Sequence, residues 1–263
     1  MRHFSVCVPF LLPRRSLKGL DMEDKKLLIQ PRLEMIARLV PPGARLADVG
    51  TDHGYLPVWL LQNGKINSAI ASDVRPDPLR HARTTAELYG FADQIDFRLC
   101  DGLDGISPEE TDTVVLAGMG GETIATILSA AKWTLTGKVT LLLQPMSKAE
   151  FLRKWLPENG YTFVGERLVW DKDYLYPIFC VTGGASQMLA PKCQYGGVML
   201  ADDPLYDDYL SQQIRRLETA INGLSQASDS ASREKGRFLE KIRRSLQGER
   251  KKRSEAHDAG QRR

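Results

Sequence analysis

Apolar and polar positions along this chain switch repeatedly between helical and strand spacing from residue 23 to residue 183. Over 23–40, Leu33, Ile36, Ala37 and Val40 recur at helical spacing, and Pro41-Pro42-Gly43 closes the run. ARLADVG (44–50) reads as a short buried strand, and YLPVWLLQNG (55–64) as a helix that begins near Pro57 and stops at Gly64. The alternation continues with a strand at 66–73, a helix over 77–90, strands at 95–100 and 112–119, and a helix over 122–133. A strand at 138–144 and a helix over 151–160 follow. Residues 161–183 form two long strand-like runs separated by the polar pair Lys172-Asp173, which predicts an antiparallel hairpin. Such alternation predicts an α/β fold, a mostly parallel sheet with helices on both faces.

Past Gly184 the pattern changes. Residues 185–204 are loop-rich, and then Leu210, Ile214, Leu217, Ile221 and Leu224 recur in an apolar heptad seam. Ser228-Asp229-Ser230 interrupts it, and Phe238, Leu239, Ile242 and Leu246 resume helical spacing in a second, basic helix. The expectation is an antiparallel, coiled-coil-like helical pair within 185–248, appended to a domain over 22–184. The tail over 249–263 is polar and basic and is expected to be disordered.

Charge sharpens this division. The formal net charge is +3, yet residues 205–263 carry 14 Lys/Arg against 9 Asp/Glu, and residues 21–204 carry 18 against 24. A mildly acidic body with basic ends suits a polyanionic partner. Cys7, Cys100, Cys180 and Cys193 are scattered without CxxC spacing, which argues against a disulfide framework or a zinc site and fits a cytoplasmic protein without a metal. No apolar run reaches the length of a membrane span. FSVCVPFLL (4–12) is broken by Pro9 and followed by Pro13-Arg14-Arg15, so it does not read as a signal peptide, whereas Met22 opens a more typical beginning. Residues 1–21 are therefore expected to be a disordered extension or a misassigned start.

The strongest local signal is ADVGTDHGYLP (47–57), placed where strand one turns into a helix. Open α/β sheets bind ligands at the carboxyl ends of their strands. Gly50 permits the sharp turn and Gly54 a close approach to the helix, but the spacing is not the GxGxxG of a dinucleotide loop. Asp48 and Asp52 would repel a pyrophosphate and suit a cation, so the charge favours S-adenosyl-L-methionine over NAD. Asp73 ends strand two, where a carboxylate accepts ribose hydroxyls, and Asp101, with Gly102 and Leu103, follows strand three at the height expected for adenine. Tyr55 and His53 flank the loop. Strand four ends in Gly118-Met119-Gly120-Gly121, which leaves room for a flat base, and strand five ends in Gln144, an amide at the same rim.

The ordered set DVGTDHGYLP, Asp73, DGL (101–103), GMGG (118–121), LLLQP (141–145) and the closing hairpin resembles the bacterial TrmK family, tRNA (adenine-N1)-methyltransferases acting on adenine 22. The resemblance covers about residues 23–247. It implies a class I, Rossmann-like methyltransferase fold with a seven-stranded sheet and a C-terminal antiparallel hairpin. It also implies cofactor contacts at Asp48, Gly50, Asp52, Gly54, Tyr55, Asp73, Asp101 and Gly102. Leu103 and Gly118 are added as further cofactor candidates. Asp48, His53, Tyr55, Gly118, Met119 and Gln144 are the candidates at the reacting centre.

The chemistry needs few groups. Adenine N1 carries a free lone pair, so alignment and water exclusion suffice without a general base, but its Watson–Crick edge must be unpaired or extruded. Tyr55 or His53 is available to stack on the base. Arg32, Arg153, Lys154, Lys241, Arg243 and Arg244 are the candidates for gripping phosphates. The expected partner is tRNA, with the protein a monomer or a dimer through its C-terminal helices. Competing readings are a methyltransferase with another RNA, protein or small-molecule substrate, a non-catalytic RNA-binding protein with a vestigial pocket, and an NAD(P) oxidoreductase.

Overall fold

The computed structural model describes residues 26–185, 188–226 and 229–261, with side chains to residue 255. The extension expected over 1–21 lies outside the described residues.

Seven strands form one sheet: β1 (Leu46–Val49), β2 (Ala69–Asp73), β3 (Ile95–Leu99), β4 (Thr113–Gly120), β5 (Thr140–Ser147), β6 (Tyr161–Asp171) and β7 (Tyr174–Gly183). Their order is β3-β2-β1-β4-β5-β7-β6. The first five run parallel, and β7 pairs antiparallel with both β5 and β6. β1 and β2 are buried along their whole length, as central strands covered on both faces must be. The two-residue period sorts their side chains. Ala47, Val49, Ile70, Leu116 and Leu143 meet helices α4 (Gly121–Ala130) and α5 (Ala149–Glu158). Leu46, Ala69, Ala71, Val115 and Leu142 meet α1 (Pro31–Leu39) and α2 (Tyr55–Gln62), with α3 (Pro76–Tyr89) beside them.

The first helix is shorter than its apolar pattern predicts. Residues 26–30 are not helical, because Pro31 occupies the first turn and holds Gln30 extended at φ −62°, ψ 149°.

Beyond the sheet lie the short helix α6 (Pro191–Gly196) and two long ones, α7 (Tyr206–Ser225) and α8 (Ser230–Gln261). Ion pairs Arg243–Glu218 and Arg253–Asp207, with Gly236 against Leu224, show that α7 and α8 run antiparallel. Leu210, Ile214 and Leu217 of the seam are buried against Leu239, Ile242 and Leu246 and against Leu168 and Leu175 of the sheet hairpin. Phe238, grouped with that seam by spacing, is instead 41% exposed.

The tail expected to be disordered from 249 is helical to Gln261. Contacts to the body hold it: Lys192 Nζ meets Glu249 at 2.9 Å, Arg253 Nε meets Asp207 at 2.8 Å, and the Arg253 guanidinium lies 4.8 Å from the Tyr206 ring centroid. Among the described residues no helix is long and apolar enough to cross a membrane.

Candidate active site

At the carboxyl ends of β1, β2, β3 and β4 two cavities of about 170 and 550 Å³ share Gly50, Ala117 and Gly118 as a common wall. The smaller is lined by Asp48, Thr51, Asp52, His53, Tyr55 and Arg32. The larger is lined by Asp73, Val74, Asp101, Gly102, Met119 and Ile127. The three strand-end acids expected from sequence therefore stand around one joined cleft.

Glycine geometry builds that wall. Gly50 has φ +78°, and a Cβ there would stand 2.8 Å from Met119 Cε. Gly54 has φ +64° and lets α2 approach α3, since its Cβ would meet Ala82 at 3.0 Å. At Gly118 the pairing of β4 with β5 slips out of register, between Ala117 and Met119. Such a bulge turns the strand end and re-aims its backbone.

Asp48 is 8% exposed, and burial pushes its carboxyl up to about 6, with the neighbouring Thr51 hydroxyl pulling weakly the other way. A buried carboxylate without a cationic partner is costly, so the site favours a positively charged occupant. Thr51 Oγ1 in the same cavity is buried and completes no well-formed hydrogen bond among the described residues. An under-satisfied hydroxyl, a wall of two glycines and an alanine, and a desolvated carboxylate fit a cationic, polar-headed group such as S-adenosyl-L-methionine. Asp73 accepts the Arg75 N–H at 2.8 Å, which orients one carboxylate oxygen. Asp101 is exposed at the mouth of the larger cavity.

Four residues take places other than those expected from sequence. Leu103 is 3% exposed and belongs to the core under the loop, where its side chain packs with Ile106 and leaves the cavity face to Val74 and Ile127. Gln144 is fully buried, and its oxygen accepts Gly118 N–H at 3.1 Å and Arg32 Nη1 at 3.3 Å, so it braces the rim rather than facing a base. Arg153 is 1% exposed and paired with Glu166 at 2.7 Å, which removes it from any surface an RNA reaches. Arg243 is committed to Glu240 and Glu218.

The structure places the other candidates as follows. Arg32 pairs with Asp171, the last residue of β6, at 3.1 Å and lines the smaller cavity. His53 stacks between Tyr55 and His81, with centroids 5.1 and 5.2 Å away, and its Nε2 is 3.5 Å from Asp52. Lys154, Lys241 and Arg244 are exposed. Sequence reasoning passes over Val74. It is 61% exposed in the larger cavity, and the signal available is an apolar residue directly after a strand-end acid.

Sheet order 3-2-1-4-5-7-6 with an acid-lined cleft at its carboxyl edge defines a Rossmann-like methyltransferase. Residues 29–179 match the family model described as a methyltransferase domain. The tRNA (adenine(22)-N(1))-methyltransferase of Bacillus subtilis (strain 168) is 32% identical over 217 residues, 78% of this chain and 89% of that protein. The chain belongs to that family, the TrmK methyltransferases. The crystal structure of the B. subtilis TrmK m1A22 tRNA methyltransferase superposes with a TM-score of 0.74 at 29% identity, covering 84% of this chain and 99% of that one. M. capricolum TrmK, solved with S-adenosyl-homocysteine, superposes with a TM-score of 0.69 at 28% identity over 82% and 96%.

Proposed function

We propose that this protein methylates N1 of adenine 22 in tRNA, with S-adenosyl-L-methionine as donor. The observation that carries the reading is the cleft joined at Gly50, Ala117 and Gly118, around which Asp48, Asp73 and Asp101 stand. Kinship with the B. subtilis enzyme over 89% of its length supports the acceptor.

When bound, S-adenosyl-L-methionine supplies an electrophilic methyl group. Asp48 and the Thr51 hydroxyl would hold its cationic amino-acid end, Asp73 its ribose hydroxyls, and Asp101 with the Gly102 backbone its adenine, against Val74 and Ile127. Asp52 and Gly54 shape the turn. The acceptor base would lie between Gly118-Met119 and the stacked His53–Tyr55 pair. Arg32 would close the cavity to water. No side chain has to remove a proton before attack, because N1 is already a lone pair. The developing positive charge on the base would be met by the backbone carbonyls of the glycine-bent rim.

The helical pair α7–α8 is the proposed tRNA grip, with Lys241 and Arg244 of α8 as phosphate contacts, Arg243 a lesser one, and Lys154 on the neighbouring α5. Residues 26–185 are the proposed catalytic domain.

Mapping modified nucleotides by mass spectrometry in tRNA from cells with and without the protein tests the reading. The expected result is loss of 1-methyladenosine at position 22 alone. Retention of that modification would overturn it.

A further inference from the structure

Two buried charges join the catalytic domain to the helical pair. Arg153 on α5 and Glu166 on β6 are each 1% exposed, and Arg153 Nε donates to Glu166 Oε1 at 2.7 Å. The other donors of Arg153 leave that domain. Nη1 donates to the Gln194 carbonyl on α6 at 3.0 Å, and Nη2 to the Tyr209 hydroxyl on α7 at 2.8 Å. Glu166 Oε2 accepts the backbone N–H groups of Val198 at 2.7 Å and Met199 at 3.1 Å. The guanidinium also faces the rings of Phe179 and Tyr209, at 4.9 and 5.4 Å. One ion pair thus grips the segment between the sheet and α7 at three points and α7 itself at a fourth.

Desolvating two charges offsets most of their attraction, so such a pair adds little to net folding stability. Its contribution is directional. A guanidinium fork and a carboxylate satisfy their partners only in one arrangement. The surrounding apolar contacts, Leu168 and Leu175 against α7 and α8, carry no such angular restriction.

We propose that Arg153, acting with Glu166, is a positioning residue that sets the pose of the helical pair relative to the catalytic cleft. RNA held on α8 then delivers its acceptor base to the Gly118 rim. This rests on the reading of α8 as a tRNA grip. Arg153 itself touches no RNA and acts through Tyr209 and residues 194–199. Gripping phosphates and aligning one base are separate demands, and a stiff joint meets both. A displacement of about 1 Å at the reacting atoms lowers a rate by about a hundredfold.

The test uses the full-length chain with Tyr209→Phe, which removes one hydrogen bond, Arg153→Met, and Arg153→Lys. Calorimetry reads the affinity and stoichiometry of S-adenosyl-L-methionine, filter binding reads tRNA affinity, and methyl transfer reads kcat. Expected are unchanged cofactor stoichiometry, both affinities within about twofold, and kcat lower by about threefold in Tyr209→Phe and at least tenfold in Arg153→Met, with partial recovery in Arg153→Lys. Hydrogen exchange at the Val198 and Met199 amides should quicken in Arg153→Met while that of β1 and β4 holds. Wild-type kcat in folded variants, or cofactor affinity falling in step with kcat, overturns the proposal. Should Arg153→Met fail to fold, Tyr209→Phe decides. A wild-type protein inactive on tRNA would sink the functional reading instead; exchange at residues 198 and 199 needs no RNA, and its remaining unchanged would still sink the joint.

Discussion

Gln144 braces Gly118 from the neighbouring strand: its side-chain oxygen accepts the Gly118 N–H at 3.1 Å while also accepting Arg32 Nη1 at 3.3 Å. One buried amide therefore holds two parts of the cleft rim, the bulged end of β4 and the first helix. Replacing it with Leu leaves a backbone N–H and a guanidinium short of an acceptor. Gln144→Leu should destabilise the fold by about 1–3 kcal/mol and lower kcat more than cofactor affinity. Thermal melts and steady-state methyl transfer check both parts.

Asp48 should couple pH to both stability and cofactor binding. Its carboxyl rises from 3.8 to about 6 in the folded chain because burial disfavours the charged form. The folded protein then binds the proton more tightly than the unfolded one. The stabilisation is complete below about pH 4 and is lost as pH rises through about 6, a change of about 3 kcal/mol. A cationic cofactor needs the ionised form, so its affinity should fall below about pH 6. Asp48→Asn should stabilise the free protein above that pH and weaken S-adenosyl-L-methionine binding more than tenfold. Melting curves against pH and calorimetry at matched pH values give the answer, and a flat wild-type profile would contradict it.

Gly50 combines φ +78° with 2.8 Å of clearance from its absent Cβ to Met119 Cε. Gly50→Ala should destabilise the protein by about 1–2 kcal/mol through backbone strain and reduce cofactor affinity. Adding Met119→Ala relieves the clash but not the backbone strain, so affinity should recover only in part. Melting temperatures and calorimetric titrations of the single and double variants measure the two effects separately.

The exposed bases of α8 should show themselves through salt. Lys241→Ala and Arg244→Ala should each lower the slope of log affinity for tRNA against log salt by about one, as expected for one lost phosphate contact. Arg243→Ala should lower it less, because two carboxylates, Glu240 and Glu218, hold that half-buried guanidinium, whereas Arg244 pairs with Glu240 alone and its side chain is 74% exposed. Filter binding across a salt series separates these cases.

Arg253 anchors the last turns of α8 to α7. Arg253→Ala removes the Asp207 pair, the Ala201 carbonyl contact and the stacking on Tyr206. It should cost about 1 kcal/mol, read as a lower melting temperature, with faster amide exchange beyond residue 249.

The order of strands and helices, the sharp glycine turn after β1 and the acids Asp48, Asp73 and Asp101 were all legible along the chain, because each depends on local spacing and on the end of a strand. Val74 was legible in principle from its neighbour Asp73. Leu103 was not. Its place depends on which way a loop folds over Ile106, and local spacing carries no information about that.

By itself, the sequence determined the α/β alternation, the heptad seam and the acidic, glycine-bent loop, since hydrophobic period and backbone freedom act within a few residues. The tertiary structure decided where charge is spent. Arg153 and Lys154 are neighbours in the chain, yet one is sealed against Glu166 and Tyr209 and the other faces solvent. Likewise Gln144 turns inward to Gly118, and the basic stretch past residue 249 stays helical because Asp207 and Tyr206 receive Arg253. A partner many residues away fixes whether a polar group is desolvated, and desolvation, not residue type, determines what that group can do.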